Sequence, residues 1–148
     1  IHFGSSPELY LAGAWFALEK VDDENGPLII CPKSHKLNII DFTDLNLQIP
    51  KSTNELKTNY TVYENYLEEI VKEKKIKKKR VHLNKGDVLI WSANLLHGGS
   101  KIKKKSKTRL SQVIHYHFAN LKKIYNPCFS SKSNGIFAER DIKSITIK

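Results

Sequence analysis

The chain has 148 residues and a mass of 17.0 kDa; 40% of its residues are hydrophobic, 27% are charged, and its formal net charge is +10. A chain of this length can bury one hydrophobic core without disulfide or metal support, which argues against intrinsic disorder. Its longest apolar stretch, Tyr10 to Leu18, falls well short of the ~20 residues needed to cross a bilayer, so no transmembrane helix is predicted.

The chain begins at Ile1, contains no methionine and shows no signal-peptide pattern, so we expect it to be a piece of a longer protein. Its two cysteines, Cys31 and Cys128, lie far apart in the sequence. This spacing argues against both a disulfide framework and a four-cysteine zinc site, and it favours the reducing cytoplasm as the location.

Lysine supplies most of the positive charge, because only three of the 25 basic residues are arginines. The lysines are densest in two runs, 72–80 and 101–107, and neither run contains an aromatic residue. Nucleic-acid-binding proteins usually combine arginine, which pairs with phosphate and guanine, with aromatic side chains that stack on bases. The composition therefore favours a solvated lysine-rich surface, with an anionic substrate as the alternative, and argues against a nucleic-acid partner.

The first half of the chain predicts two strands followed by one helix. Residues 9–19 are apolar and aromatic and favour a strand, and a dense turn signal at 22–27 (DDENGP) separates them from a second strand at 28–31. Residues 37–58 have mixed polarity, which suggests a surface excursion. Apolar residues at a spacing of three and four within 60–75 then predict an amphipathic helix whose apolar stripe faces the core.

The second half predicts a hairpin, a long strand and a loop-rich tail. The alternating residues 81–83 and the apolar run 88–91 flank a turn signal at 85–87, which predicts a β-hairpin. Residues 108–118 (TRLSQVIHYHF) form the longest β-like segment, and a short closing strand is expected near 142–147. Since the chain lacks βαβ alternation, GxGxxG and a phosphate-binding loop, we expect a single domain built as an antiparallel β-sandwich or jelly roll.

Two residues are candidates for chemistry. His97 follows an apolar strand and is followed by Gly98-Gly99, which leaves room for a ligand or a metal beside a neutral imidazole. Arg109 opens the long strand, and an arginine that points into the core needs an anion, either the carboxylate of a ligand or an internal Asp or Glu. A purely structural histidine is the alternative for His97.

These residues belong to an ordered series that resembles the phytanoyl-CoA dioxygenase family of iron(II)- and 2-oxoglutarate-dependent oxygenases. The resemblance covers most of the chain and is weakest in 37–79 and in the tail. Its segments are 15–19 (WFALE), 25–28 (NGPL) with 32–35 (PKSH), 86–97 and 109–116. The resemblance implies a mostly-β fold, a double-stranded β-helix or cupin-like jelly roll with one or two helices packed on it, and the hydroxylation of a small organic substrate.

The resemblance also implies iron(II) as cofactor and 2-oxoglutarate as cosubstrate. In such a site two histidines and one carboxylate hold the metal, which leaves three positions open for the keto acid and dioxygen. By resemblance, His97 is the distal histidine and Arg109 pairs with the far carboxylate of 2-oxoglutarate. Trp15 resembles the tryptophan that lines the cosubstrate pocket, with a plain core tryptophan as the alternative. Ser111 is a further candidate for contact with a ligand carboxylate.

The sequence departs from the family pattern at the other two metal ligands. The family carries them as an H-x-D pair, and this chain contains no H-x-D. The family's spacing places the pair just before Ile1, so we expect 1–148 to be an N-terminally truncated β-helix that is inactive by itself. The alternatives are that His2-Phe3-Gly4 serves as an H-x-G variant, as in iron halogenases where a halide takes the carboxylate position, or that the protein is a pseudo-enzyme.

The remaining histidines are assigned to packing or to the surface. His35 lies in a turn, and His82 alternates outward on a strand. His115 and His117 share one face of the long strand, which we expect to face inward together with Ser111 if the alternation holds.

Further hypotheses concern partners. A non-catalytic β-sandwich would bind an anionic partner through its lysine-rich loops. If the protein is an enzyme, the loop 101–107, close to His97 in sequence, suggests an anionic substrate. A barrel without its first strands would leave strand edges open, and a second copy of the chain can pair with such edges.

Overall fold

The architecture is mostly β, as the sequence predicts. The computed structural model describes residues 4–118, 120–131 and 134–139. Within these residues the regular structure consists of eight strands, one α-helix, α1 (Thr53–Glu73), and three short 3-10 helices. The strands, in chain order, are β1 (Gly4–Ser6), β2 (Leu11–Ala17), β3 (Leu28–Ile30), β4 (Lys79–Val81), β5 (Val88–Ser92), β6 (His97–Gly99), β7 (Ser111–His117) and β8 (Lys123–Tyr125).

The strands form three small antiparallel sheets. A two-stranded sheet pairs β1 with β8, and two three-stranded sheets have the orders β5-β2-β7 and β4-β3-β6. In both larger sheets the central strand comes from the first part of the chain, and its neighbours come from much later in the sequence. Pairing of this kind is long-range, unlike a series of local hairpins.

The main core lies between the two three-stranded sheets. On the inner face of the β5-β2-β7 sheet, Gly13 lies opposite Trp91 of β5 and His115 of β7. Trp15 shares this face, is 3% exposed, and belongs to a buried cluster with Trp91. Leu28 of the other large sheet packs against the same cluster, which joins the two sheets.

The predicted turn at 22–27 is a corner held by one side chain. Asn25 Oδ1 accepts a hydrogen bond from the Asp22 amide at 2.8 Å, and Asn25 Nδ2 donates to the Thr108 carbonyl oxygen at 2.9 Å. Gly26 follows with a φ of +78°, a conformation that glycine adopts without steric cost. The corner therefore ties the chain just before β3 to the chain just before β7.

The predicted hairpin between residues 81–83 and 88–91 is wrong. β4 pairs with β3, whereas β5 pairs with β2, so the two strands belong to different sheets. The turn between them bonds to the end of β2 instead: the Gly86 amide donates to the Ala17 carbonyl at 2.8 Å, and the Ala17 amide donates to the Asp87 carbonyl at 3.0 Å. A turn signal indicates where the chain reverses, but it does not determine the strand with which each arm pairs.

The predicted helix is present and begins earlier than the spacing in 60–75 indicates. α1 starts after Ser52, whose hydroxyl accepts a hydrogen bond from the Glu55 amide at 3.2 Å. This Ser-x-x-Glu pattern is a helix-start signal inside the segment expected to be a surface excursion. Tyr63, buried on the inner side of α1, packs with Phe42 in a second core cluster.

The C-terminal part of the described chain contributes a strand that the sequence analysis assigned to loop. This strand, β8, pairs with β1 along its full length. The closing strand expected near 142–147 lies outside the described residues. None of the helical structure in the described ranges is both long and apolar enough to span a membrane.

Candidate functional site

His97 is the first residue of β6 and is exposed. Its ring atom Nδ1 lies 2.8 Å from the carbonyl oxygen of Leu95. A carbonyl oxygen can only accept a hydrogen bond, so Nδ1 is the donor, and in the neutral form of the ring Nε2 keeps its lone pair. This is the tautomer in which a histidine binds a metal through Nε2 while a backbone carbonyl fixes its orientation.

The indole of Trp91 supports the imidazole from one side. The two ring centroids are 4.9 Å apart, and the ring planes are tilted by 53°. The indole itself lies over Gly13, where an added Cβ would be 2.8 Å from two of its ring atoms. Glycine at this position therefore provides the space for the indole, and the indole and the Leu95 carbonyl together orient the ring of His97.

Arg109 lies just before β7 and is half-buried. Its guanidinium donates a hydrogen bond to the carbonyl oxygen of Gly26. A Cβ added at Gly99 would lie 3.2 Å and 3.4 Å from two guanidinium nitrogens, so the group packs on the side-chain face of Gly99. Gly99 is two residues beyond His97 on β6, and alternate residues of a strand point to the same side about 6.6 Å apart. The structure thus brings the two main candidates to one side of one strand.

The other candidates have different surroundings. Trp15 is buried in the main core, and Ser111 is half-buried on the inner face, opposite Ala17. Neither of them lines the cavity beside His97. His2 lies outside the described residues.

The two histidines of β7 lie on the inner face of the sheet, as the alternation predicts, although both are exposed. His115 lies opposite Gly13, and His117 lies opposite Leu11, both on the inner face of the sheet. Burial, followed by repulsion from His115, lowers the pKa of His117 below its usual value, so this imidazole is neutral at pH 7. Only His115 of the pair lines the cavity.

A cavity of about 270 Å³ lies beside His97. It is enclosed by the inner face of the β5-β2-β7 sheet, by α1 and by the loop 37–41. The sequence alone does not show that the loop and α1 line this cavity. The helical spacing of Tyr60, Tyr63 and Leu67 is the one sequence signal that indicates a shared wall.

The lysine-rich loop 101–107 does not line this cavity. Its last lysine, Lys107, forms ion pairs with Asp22 at 3.2 Å and Glu24 at 2.6 Å. The hydrogen bonds to Glu24 and Asp22 raise the pKa of Lys107, and the Glu24 amide and then Lys107 lower the pKa of Asp22. Part of the positive charge of the loop is therefore paired with the 22–27 corner.

The described residues supply one candidate metal ligand, His97, rather than a complete set. In the ranges 4–118, 120–131 and 134–139, no three His, Cys, Asp or Glu side chains lie close enough together to hold a metal ion. His97 has the tautomer and exposure of a ligand, and Arg109 has the charge and shape to pair with the far carboxylate of a keto acid. These two residues fit an iron and 2-oxoglutarate site, whose other ligands would come from outside the described residues.

Solved structures establish the fold. The crystal structure of the non-heme alpha ketoglutarate dependent epimerase SnoN from nogalamycin biosynthesis matches with a TM-score of 0.51 and 19% identity, over 85% of this chain and 38% of that chain. SnoN in complex with Fe3+, alpha ketoglutarate and nogalamycin RO matches with a TM-score of 0.54 and 18% identity, over 99% of this chain and 50% of that chain. This chain thus spans half or less of the structures it matches. The likeness confirms the predicted mostly-β, double-stranded β-helix class.

Sequence comparison identifies the family. No curated protein matches the chain significantly. The profile of the phytanoyl-CoA dioxygenase family (PhyH) matches residues 2–109, a range that includes both His97 and Arg109. Iron(II) and 2-oxoglutarate, which the resemblance implies, are the cofactor and cosubstrate of that family. Because the match extends over most of the sequence, the chain belongs to the phytanoyl-CoA dioxygenase family.

Proposed function

We propose that this chain forms part of an iron(II)- and 2-oxoglutarate-dependent oxygenase that hydroxylates a small organic substrate. The observation that carries the proposal is the placement of His97 and Arg109 on one side of β6, with Nε2 of the first available and the guanidinium of the second packed on Gly99. Membership of the family and the cavity beside His97 support it.

In this proposal His97 holds the metal through Nε2. Donation from Nδ1 to the Leu95 carbonyl fixes the orientation of the ring. The packing of Trp91 against the ring adds to this restraint, so little side-chain entropy is lost when the metal binds. When bound, iron and 2-oxoglutarate supply the oxidising chemistry, in which the keto acid loses carbon dioxide and a substrate C–H bond is oxidised by dioxygen.

Arg109 is proposed to bind the far carboxylate of 2-oxoglutarate. A guanidinium is a planar fork that donates two parallel hydrogen bonds to a carboxylate, which lysine cannot reproduce. The hydrogen bond to the Gly26 carbonyl restrains the fork, and the absence of a side chain at Gly99 leaves room for the guanidinium beside β6. Ser111, which shares the inner face of β7, is proposed to add a hydroxyl contact to the same carboxylate.

The other two metal ligands are proposed to come from outside the described residues. One source is an H-x-D pair in a segment that precedes Ile1. In that case residues 1–148 form a single domain, an incomplete β-helix that lacks its N-terminal elements. The other source is His2-Phe3-Gly4, acting as an H-x-G variant. Trp15 stays a prediction for the cosubstrate pocket, and its 3% exposure fits a position behind the pocket wall.

The location proposed for the protein is the cytoplasm. Cys31 and Cys128 are both buried as thiols rather than joined in a disulfide. Burial raises the pKa of each thiol, which keeps both in the unreactive protonated form. Such cysteines are typical of proteins in a reducing compartment.

The metal assignment is tested by adding iron(II) and 2-oxoglutarate without oxygen and recording the visible charge-transfer band of the chelate. The band is expected in the 148-residue chain if His2 is a ligand, and only in a chain extended before Ile1 if the H-x-D pair is used. His97→Ala should abolish it in either form. His82→Ala, which removes an exposed imidazole paired with Asp23, is the control and should keep the band. No band in either form of the chain would contradict the proposal.

The role of Arg109 is tested by the affinity for 2-oxoglutarate. Arg109→Ala should raise the dissociation constant for 2-oxoglutarate at least about tenfold. A charge-assisted bidentate pair contributes more free energy of binding than a tenfold change in affinity requires. Arg80→Ala removes an exposed arginine that pairs with Asp23 at 3.4 Å, and it should leave the affinity unchanged. Equal affinities of wild type and Arg109→Ala would show that Arg109 is purely structural.

A further inference from the structure

The cavity beside His97 has the opposite charge from the rest of the protein. Across the chain, 25 Lys and Arg residues stand against 15 Asp and Glu. The lining includes Glu8, Asp41 and Glu64 but, within the part of the chain that the structure describes, neither lysine nor arginine. A cavity with this lining attracts cations and repels anions. The loop 101–107 suggests the reverse from sequence alone.

Asp41 is the carboxylate that most directly indicates a ligand. The residue is 3% exposed and contributes to the cavity wall. Its Oδ1 accepts hydrogen bonds from the Thr43 amide at 2.9 Å, the Thr43 hydroxyl at 2.6 Å and the Asp44 amide at 3.1 Å. Its Oδ2 accepts none from residues in the described ranges. One oxygen is therefore anchored, while the other has no donor among the described residues and can accept a hydrogen bond from a ligand in the cavity.

Aromatic rings of α1 form the neighbouring wall. Tyr60 and Tyr63 both line the cavity, and their ring centroids are 6.3 Å apart. Burial raises the pKa of Tyr63 well above its usual value, so this phenol is uncharged at neutral pH. The face of an uncharged aromatic ring attracts an ammonium group. The rings and the carboxylates therefore favour the same kind of ligand.

The rest of the lining is largely apolar. Leu11 on the sheet and Leu67 and Ile70 on α1 contribute to these walls. The volume of about 270 Å³ is just below the range of roughly 300–1,000 Å³ that is usual for small-molecule pockets. A ligand that fits has a small apolar body and carries its charge at one end.

We propose that the cavity binds a small amine whose protonated nitrogen pairs with Asp41 Oδ2 and whose apolar body lies between α1 and the inner face of the β5-β2-β7 sheet. Glu8 and Glu64 add negative charge around the same space. Because the cavity adjoins His97, this amine is the substrate of the oxygenase, an assignment that rests on the proposed function.

The test compares two ligands of the same skeleton and opposite charge by titration calorimetry on the 148-residue chain. Phenethylammonium is expected to bind at least about tenfold more tightly than 3-phenylpropionate. The pairing of an ammonium with the carboxylate of Asp41 contributes at least a tenfold gain in affinity. The net charge of +10 attracts the anion to the surface, so a preference for the ammonium has to arise in the cavity. Equal affinities, or a preference for the propionate, would overturn the proposal.

A matched pair of variants tests whether the preference for phenethylammonium arises at Asp41. Asp41→Asn keeps the shape and the anchored oxygen but removes the charge, and it should weaken phenethylammonium about tenfold. Glu69→Gln removes an exposed carboxylate of α1 that does not line the cavity, and it should change nothing. If Asp41→Asn does not fold, Glu64→Gln takes its place, because Glu64 is an exposed residue of α1 that also lines the cavity, and a smaller loss is expected. An unchanged affinity in the folded cavity variant would overturn the role of the carboxylates.

The charge-transfer band separates this proposal from the proposed function. Asp41→Asn should keep the band in whichever form of the chain shows it, because Asp41 is not placed at the metal. A band without an amine preference would overturn the substrate class alone. An amine preference that depends on Asp41, in a protein with no band, would support the cavity assignment and overturn the oxygenase.

Discussion

Gly13 contributes to the site although it has no side chain. The indole of Trp91 occupies the space where a Cβ of residue 13 would lie, and the same indole packs on His97. A side chain at position 13 would therefore affect His97, the metal-binding candidate, through the indole of Trp91. Gly13 is a positioning residue for His97, since its lack of a side chain makes room for the ring that orients the imidazole.

Gly13→Ala is expected to lower the free energy of unfolding by about 1–3 kcal/mol, the usual cost of forcing atoms into a packed core. Urea unfolding measures this loss, and tryptophan fluorescence reports the displaced indole. Gly98→Ala is the control, because a Cβ at Gly98 meets nothing within 4 Å, and its effect should stay within about 0.5 kcal/mol. Similar losses in the two variants would contradict the packing role of Gly13.

The sequence predicted some of these residues and not others for a physical reason. His97 and Arg109 could be singled out because each lies at a strand end or a strand start, in a short segment that resembles the family; their roles stay predictions. Asp41 and Tyr63 could not, because their meeting at one cavity depends on α1 packing against a distant loop. No local pattern carries that long-range contact.

The helix α1 depends on its first turn. Ser52 caps the amide of Glu55, and the Glu55 carboxylate accepts a hydrogen bond from the Lys51 amide at 2.7 Å. These bonds satisfy amide groups that have no partner inside the helix. The cap also fixes the helix that carries the tyrosine wall of the cavity.

Ser52→Ala should lower the free energy of unfolding by about 1 kcal/mol, the typical loss for a helix N-cap. Chemical denaturation followed by far-ultraviolet circular dichroism gives the value. Ser106→Ala, in the exposed loop before β7, is the matched control and should be close to neutral. A loss in the control as large as that in Ser52→Ala would mean that the cap contributes nothing specific.

The 22–27 corner gives the fold a dependence on pH. The Glu24 amide and then Lys107 lower the pKa of Asp22 from 3.8, so its charged form is favoured in the folded state. The stabilisation is present above pH 3.8 and is lost as the pH falls through the lower, folded value. Thermal unfolding at a series of pH values should therefore show a drop in Tm below about pH 4 that is smaller in Asp22→Asn. Glu69→Gln, on the exposed side of α1, should keep the full drop, and identical curves for Asp22→Asn and wild type would exclude the corner as its source.

At the scale of secondary structure, the sequence predicted which residues form strands better than it predicted which strands pair. The strands that became β2, β3, β5 and β7 follow from apolar and alternating runs, which depend only on neighbours in the chain. Their pairing depends on contacts across the sequence, and the nearest strand was the wrong partner for β5. The register of β2 with both its neighbours sets the inner face, so the predicted inward direction of His115 proved correct.

The whole molecule has one large sheet face that the described residues leave uncovered. On the outer side of the β5-β2-β7 sheet, Ile90 is 69% exposed, and Val88, Ile114 and Tyr116 are exposed as well. β7 is also an edge strand within the described residues, and its sequence contains no Lys, Arg, Asp or Glu. Proteins usually protect such edges with charged side chains, proline or a covering segment. The exposed face and the uncharged edge therefore favour association of this chain with a second copy.

The 148-residue chain is expected to self-associate, with a sedimentation coefficient that rises with concentration. Ile114→Lys places a charge on the edge strand at a position already 38% exposed, so it should reduce association without unfolding the protein. Val62→Lys makes the same change on α1, at a residue that is 43% exposed, and it should leave association intact. Because both variants add the same charge, the difference between them measures the contribution of the sheet. A strict monomer at high concentration, or equal effects of the two variants, would show that the exposed sheet does not pair.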